Sequence, residues 1–477
     1  MTGDGRPALV WFRQDLRLTD HAALHAAVES GRAILPVYVL DDAAAGTWAA
    51  GGASRWWLHH SLASLARDLA ATGAKLVLRR GDSAAALAAL ARDAGAAEIY
   101  CGAAVEPWAR ALELRVRDRL AADGVALRRF RTATLFDPER IRTQAGGIYG
   151  VYTPFSRACF ALEAPRLLPA PARISSVAPP GSDRLADWRL LPAKPDWAGG
   201  LRAAWQPGEA GAQAALRRFL NGALARYAAR RDFPGETGTS RLSPYLHFGE
   251  ISAGQVWRAA QAMADGQDAE KFLKEVLWRE FSQYLLYHHP ALPDAPLRAE
   301  FARMPWRDDT ESLRAWQRGM TGVPIVDAGM RELWQTGWMH NRVRMVVASF
   351  LVKHLLIDWR AGARWFWDTL VDADLGSNAA SWQWVAGCGA DAAPYFRVFN
   401  PVLQGKKFDP DGAYVRRFVP ELARLDRAFV HAPWEAPGDA LARAGVVLGR
   451  NYPAPIVGLA EGRARALAAF AGLGRAG

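Results

Sequence analysis

Residues 8–41 read ALVWFRQDLRLTDHAALHAAVESGRAILPVYVLD. Two apolar runs, 8–12 and 33–41, enclose a segment over 20–30 whose apolar residues recur at helical spacing. Runs this short read as buried strands, and strand–helix–strand implies parallel strands joined by a crossover. Asp20 is placed as N-cap of the intervening helix. The rhythm continues outward. A long helix is expected over 53–73, ending at Gly73, then a strand over 75–80 and a helix over 82–93. A strand over 98–101, a helix over 106–123 and a strand over 126–131 complete the series. Such alternation predicts an α/β Rossmann-like domain built on a parallel sheet. The glycine loop that marks nicotinamide-dinucleotide binding does not follow the first strand. Trp56, Trp57, His59 and His60 crowd one turn of the helix 53–73 and read as packing on the sheet.

The pattern changes twice further along. Residues 137–205 are rich in proline and glycine, which predicts a long wrapping linker with short helices. From 206 onward, apolar residues repeat every three or four positions. Helices are expected over 208–231, 252–264, 270–289, 323–337, 341–356 and 362–371. The organisation is thus an α/β domain over 1–136, a linker over 137–205 and an all-α domain over 206–477.

Composition narrows the function class. The 477 residues carry a formal charge of +11, which favours a polyanionic partner, above all nucleic acid. Twenty tryptophans supply aromatic surface for cores, stacking sites or cofactor pockets. Cys101, Cys159 and Cys388 are far apart, without metal-ligand spacing, which points to a reducing cytosol. No apolar run has the length of a membrane span, and the N-terminus lacks a signal-peptide layout.

Four clusters carry chemistry. TSRLS (239–243) offers hydroxyls, backbone amides and Arg241 to phosphate oxygens; taken alone it also suits a helix cap before proline. In KEVLWREF (274–281), Glu275, Trp278 and Arg279 share a helix face, as a base-edge acceptor, a stacking indole and a phosphate partner. A surface ion pair beside a core tryptophan would look the same. In TGWMHNRVRMVVASF (336–350), Asn341 and Met345 stand four apart, beside Arg342 and Arg344, as in a nucleotide pocket or an ordinary amphipathic helix start. In DADLGSNAASWQW (372–384), Asn378 and Trp382 are helix neighbours at a spacing of four, Trp384 points elsewhere, and Asp372 and Asp374 precede the helix. Together, in one helical region of a basic chain, the four outweigh their separate structural explanations.

These motifs, with LVWFRQDLRLTDHAAL, YTPF, RDFPGETGTSRLSP and YPAPIV, resemble the photolyase/cryptochrome flavoproteins along nearly the whole chain. The resemblance implies FAD in the helical domain. Tyr227 and Thr239, Ser240, Arg241, Leu242 and Ser243 would hold its phosphates, and Asp372 and Asp374 its flavin and ribose side. Arg344 would pair with Asp372, and Asn378 would face flavin N5. Trp382, Trp359 and Trp306 match the family's electron-carrying tryptophans; Trp365 and Trp367 lie near enough in sequence for a branch. Glu275, Trp278, Asn341, Met345 and Trp384 match residues around a flipped-out pyrimidine dimer. Arg231, Arg279, Arg342 and Arg397 match a phosphate-gripping rim.

Asn341 and Met345 stand where relatives acting on the (6-4) photoproduct place histidines. Asn378 stands where plant cryptochromes usually carry aspartate. The resemblance therefore implies a light-driven carbon–carbon lyase that splits cyclobutane pyrimidine dimers in ultraviolet-damaged DNA. Excited reduced FAD would supply the electron, and no metal is called for. SRWWLHHSL and WRLLPAKPDWA resemble the class III bacterial members, which implies methenyltetrahydrofolate as antenna ahead of a deazaflavin. A monomer in the bacterial cytosol, with no membrane partner, is expected. A blue-light receptor without repair activity is the rival reading.

Overall fold

The computed structural model describes residues 5–263, 266–392 and 396–473. They divide into two compact units. The first comprises Met1–Ala225, Ser240–Pro290 and Val371–Gly376; the second comprises Arg226–Thr239, Ala291–Leu370 and Ser377–Gly477.

The first unit is built on five parallel strands: β1 (Ala8–Phe12), β2 (Ile34–Leu40), β3 (Val77–Arg80), β4 (Glu98–Gly102) and β5 (Ala126–Phe130). Their order is β3-β2-β1-β4-β5. The chain steps outward to β3, then returns past β1 to β4, so the order reverses between β1 and β4. All five residues of β1 are buried, as a central strand covered on both faces requires. Helices α1 (Ala22–Glu29), α2 (Gly52–Ala71), α3 (Ser83–Ala94) and α4 (Pro107–Ala121) supply the crossovers. Leu9, Trp11, Val37, Ile99, Leu87 and Val116 meet in the resulting core. Trp56 and Trp57 are buried in α2, and the Trp57 indole donates to Glu250 at 3.1 Å. Both are packing residues, but the ring partners of Trp57 outside α2 are Trp205, Tyr245 and Phe248 rather than residues of the sheet; His59 and His60 are half-buried.

Two local expectations are corrected. Asp20 does not cap α1; the cap is His21, whose side chain accepts from Leu24 N at 3.1 Å. Asp20 instead sits at φ +55° and uses its carboxylate on Leu168 N and the Ser252 hydroxyl, long-range ties that a local cap rule cannot register. The helix expected over 208–231 is broken. It runs Glu209–Leu220, stops at Asn221–Gly222, and resumes as a short 3-10 turn and then Tyr227–Arg230. Glycine is a poor helix residue, and here it ends the run in spite of the apolar pattern. The segment 137–205 holds only short helices, the longest Tyr152–Phe160. α5 (Gln267–His288) completes the labelled helices of this unit.

Among the described residues, the named elements of the second unit are all helices. The elements that matter are α6 (Asn341–Ser349), continued by a π turn over Phe350–His354, α7 (Trp359–Thr369) and α8 (Leu375–Ala386). Residues of α8 from Ser377 onward belong to this unit. α6 passes through Val346, Val347, Leu351 and Val352, all buried, so its continuation forms a core rod.

Candidate flavin and DNA site

In the first unit, α5 presents Glu275, Trp278 and Arg279, all half-buried, as the spacing predicts. Trp278 is stacked on Tyr152 of the YTPF motif, with ring centroids 3.7 Å apart and planes 5° from parallel. The Tyr152 hydroxyl donates to the Lys274 carbonyl at 2.5 Å, which fixes that stack to α5 itself. Arg279 donates to the carbonyls of Ala133 (3.1 Å) and Leu246 (3.3 Å) and lies 3.2 Å from Glu280. Its guanidinium is thus engaged within the protein, which a reading as a rim cation did not foresee.

The hydroxyl run leads into the short helix Ser243–His247. The N-cap position is Leu242, with no side-chain cap bond, and Arg241 adopts φ +52°. Ser240 Oγ accepts from Leu242 N at 3.4 Å, so one hydroxyl of the run serves the start of this helix. The Arg241 guanidinium lies 4.3 Å from the Trp205 ring centroid.

Asp372 is buried, and the Asp374 carboxylate accepts from the Gln283 amide at 2.5 Å. Asp374 and Gln283 line a cavity together with Arg13, Gly102, Glu106 and His247. Arg13 follows β1 and Gly102 ends β4, so the cavity opens at the reversal point of the sheet, where such folds take ligands. Burial, reinforced by Asp374, raises the Glu106 carboxyl to about 7. Burial lowers the pKa of His247, against the opposing pull of Asp374 and Asp372. The His247 Nδ1 is buried without a hydrogen-bond partner among the described residues.

In the second unit, α6 starts at a histidine cap. His340 Nδ1 accepts from Arg342 N at 3.2 Å, which requires the unprotonated ring nitrogen. Burial lowers the pKa of His340 to about 4, so the cap holds at neutral pH. Asn341 is exposed at the first turn and Met345 is half-buried one turn on. Arg342 pairs with Asp232 at 2.9 Å and lies over Phe408, while Arg344 Nε donates to Met339 O at 2.7 Å. Tyr227 is buried, with the Arg231 guanidinium 5.2 Å from its ring. Arg397 is exposed. Asp372 lies in the first unit and Arg344 in the second.

α7 carries Trp359, and α8 carries Asn378, Trp382 and Trp384. Asn378 is buried, and its Nδ2 donates to the Ala363 carbonyl at 3.0 Å. That bond orients the amide and leaves its carbonyl oxygen as the acceptor to present. Trp382 is 2 % exposed and packs edge-on against Phe366, centroids 5.0 Å apart. A Cβ at Gly362 would come within 2.6 Å of the Trp382 ring, so only glycine lets α7 and α8 approach this closely. Trp359 is buried on the same helix as Gly362, whereas Trp306 is half-buried. Trp384 faces elsewhere, half-buried, its indole donating to Asp391 O at 3.0 Å.

The sequence reading missed three residues here. Trp316 is fully buried, 6.3 Å from Trp382 between centroids, and extends its aromatic contacts. Gln383 is fully buried and bonds Leu292, Ala295 and Leu297 of a neighbouring segment, fixing α8. Gly362 is the third. Trp365 stacks with exposed Trp334, centroids 6.0 Å apart, rather than with Trp382. Among the described residues no cluster of histidine, cysteine or acidic side chains is arranged to hold a metal, and no helix is long and apolar enough to cross a membrane.

Comparison with known proteins agrees with this geometry. The family model for the FAD binding domain of DNA photolyase matches residues 272–472, and that for DNA photolyase matches residues 8–172. A deoxyribodipyrimidine photo-lyase of Agrobacterium fabrum is 52 % identical over 98 % of both chains. Cryptochrome-1 of Arabidopsis thaliana is 39 % identical over 97 % of this chain and 70 % of its own. The crystal structure of a class III photolyase from Agrobacterium tumefaciens superposes with a TM-score of 0.96 at 50 % identity, covering 100 % of this chain and 99 % of that one. With motifs, fold and full-length similarity in agreement, the chain belongs to the photolyase/cryptochrome family of flavoproteins.

Proposed function

We propose that the protein is a deoxyribodipyrimidine photolyase that splits cyclobutane pyrimidine dimers in ultraviolet-damaged DNA under light. The observation that carries this reading is α8. There Asn378 is locked by Ala363 with an acceptor left to present, Trp382 is buried one turn later, and Trp384 departs on another face.

The donor set suits FAD. A run of hydroxyls and backbone amides, with Tyr227 and Arg241, fits a pyrophosphate; Asp372 and Asp374 fit ribose hydroxyls and ring N–H groups; the Asn378 carbonyl fits an N–H at flavin N5. When bound and reduced, FAD supplies the photoexcited electron donor. Thr239, Ser240, Arg241, Leu242 and Ser243 would hold the phosphates. Trp306, Trp359 and Trp382 carry electrons inward from the half-buried end.

On the substrate side, Glu275 accepts from a base-edge N–H of the dimer, and the Asn341 amide donates where negative charge develops. Trp278 and Trp384 form aromatic walls, and Met345 packs against the bases. Arg231, Arg342 and Arg397 grip phosphates, while Arg279, engaged with Ala133 and Leu246, adds positive field. We assign the α/β region 1–136 to an antenna, methenyltetrahydrofolate ahead of a deazaflavin. Residues 137–205 then serve as linker and 206–477 as the catalytic region, in a monomer of the bacterial cytosol.

The test is direct. Irradiated oligothymidine is incubated with reduced protein, in blue light and in the dark. Dimers disappear only in the light; persistence under light with photoreducible flavin would instead identify a receptor without repair.

A further inference from the structure

One buried cation has no part in the mechanism above. Lys353 is 1 % exposed, inside the apolar run SFLVKHLL and within the π turn. Burying an ammonium is costly unless its surroundings are arranged for it. Here they are. Lys353 Nζ donates to the carbonyl of Ala386, the last residue of α8, at 3.0 Å, and lies 3.0 Å from the Phe396 ring centroid. A helix C-terminus and an aromatic face each favour a cation. Burial alone lowers the pKa of the group.

Several described residues after α8 are tied down near this lysine. Trp384 Nε1 donates to Asp391 O, and Asp391 adopts φ +54°, unusual for a non-glycine residue. Phe399 N donates to Ser349 Oγ at 3.3 Å, and Phe396 stacks on Phe470 with centroids 4.5 Å apart. Ser349, Lys353, Trp384, Gly387, Arg397 and Phe399 line one small cavity.

The lysine also falls in a series. Asn341, Met345, Ser349 and Lys353 are spaced by four along one rod. Each such step in an α-helix overshoots a full turn by about 40°. The π turn, closed by the bond from Leu355 N to Phe350 O at 3.0 Å, is wider and rotates the last step back. The bulge keeps Lys353 near the line of Asn341 and Met345.

We propose that Lys353 is a positioning residue for lesion binding. Its Nζ ties the end of α8, with Trp384, and Phe396 beside Arg397 to the rod that bears Asn341 and Met345. It touches neither flavin nor DNA. The inference rests on the assignment of Trp384 and Arg397 to the damaged strand.

The test uses flavin-loaded Lys353→Met and Lys353→Arg, titrated in the dark with oligothymidine that carries one dimer or none. Lys353→Met weakens dimer binding about tenfold, changes undamaged binding less than about twofold, and leaves flavin content and repair rate at saturating DNA intact. Lys353→Arg recovers most of the preference. Unchanged preference in Lys353→Met, equal weakening on both DNAs, or loss of flavin overturns the proposal. Should Lys353→Met not fold, Phe396→Leu removes the aromatic face, and dimer affinity unchanged in that variant overturns it equally. A wild-type protein without preference for dimers removes the repair reading itself, which separates the two failures.

Discussion

Asn378 illustrates how one bond sets a residue's chemistry. Because Nδ2 is committed to Ala363 O, the side chain must keep a donor on that side. Aspartate can do so only when protonated. Asn378→Asp therefore lowers the melting temperature more at pH 8 than at pH 5, a contrast that thermal scans at the two pH values measure. Trp382 is buried against Phe366 and Trp316 and serves electron supply in our reading. Trp382→Phe slows flavin photoreduction by more than about tenfold yet spares repair by protein reduced beforehand. Equal loss of both activities would contradict that division of roles. Glu106 gives a pH signature of its own. Its carboxyl is raised from 4.5 to about 7 when folded, so the native state holds the proton more tightly than the unfolded chain. The resulting stabilisation is complete below pH 4.5 and is lost as pH rises through 7, by about 3 kcal/mol. Glu106→Gln flattens this slope in denaturation midpoints measured from pH 4.5 to 8.

At the scale of elements, α6 and the α7–α8 contact carry the arrangement. α6 begins on the His340 cap, and the lowered pKa of that ring means the cap is present at neutral pH and lost as pH falls through about 4. His340→Ala costs about 1 kcal/mol and His340→Asn, a stronger natural cap, recovers it, as read by thermal unfolding at pH 7. The register of α7 on α8 depends on Gly362. Gly362→Ala drives a methyl group into the Trp382 ring and Leu351, a clash worth about 1–3 kcal/mol, with slower photoreduction from a displaced indole. Repair by prereduced protein should change less. The sequence pattern located all three helices, and the spacing of four from Asn378 to Trp382 placed that pair on one face. It did not reveal Gly362, because a glycine within a helix is locally a weakness and acquires meaning only from the ring opposite. Lys353 left a visible trace, a lone charge in an apolar run, but its partners Ala386 and Phe396 lie more than thirty residues away.

At the scale of the molecule, the charge of +11 acts through phosphate contacts. DNA affinity should fall with rising salt, and removing Arg397 or Arg231 should reduce the slope of log affinity against log salt by about one each. Binding assays over a salt series decide this; an unchanged slope would take that arginine off the phosphate path. The strand–helix alternation from Ala8 to Phe130 was legible because periodicity of burial is written locally, in which residues are apolar. The motif residues were legible because their chemical types and order are specific. What tertiary structure decided was how those residues are used. Arg279 is drawn onto backbone carbonyls, and Asp20 leaves its helix for long-range bonds. The reason is physical: a polar group takes whichever partner folding brings nearest, and that partner is set by packing among distant segments. The sequence by itself determined the elements and the inventory of reactive groups; only the packed chain determined their bonds.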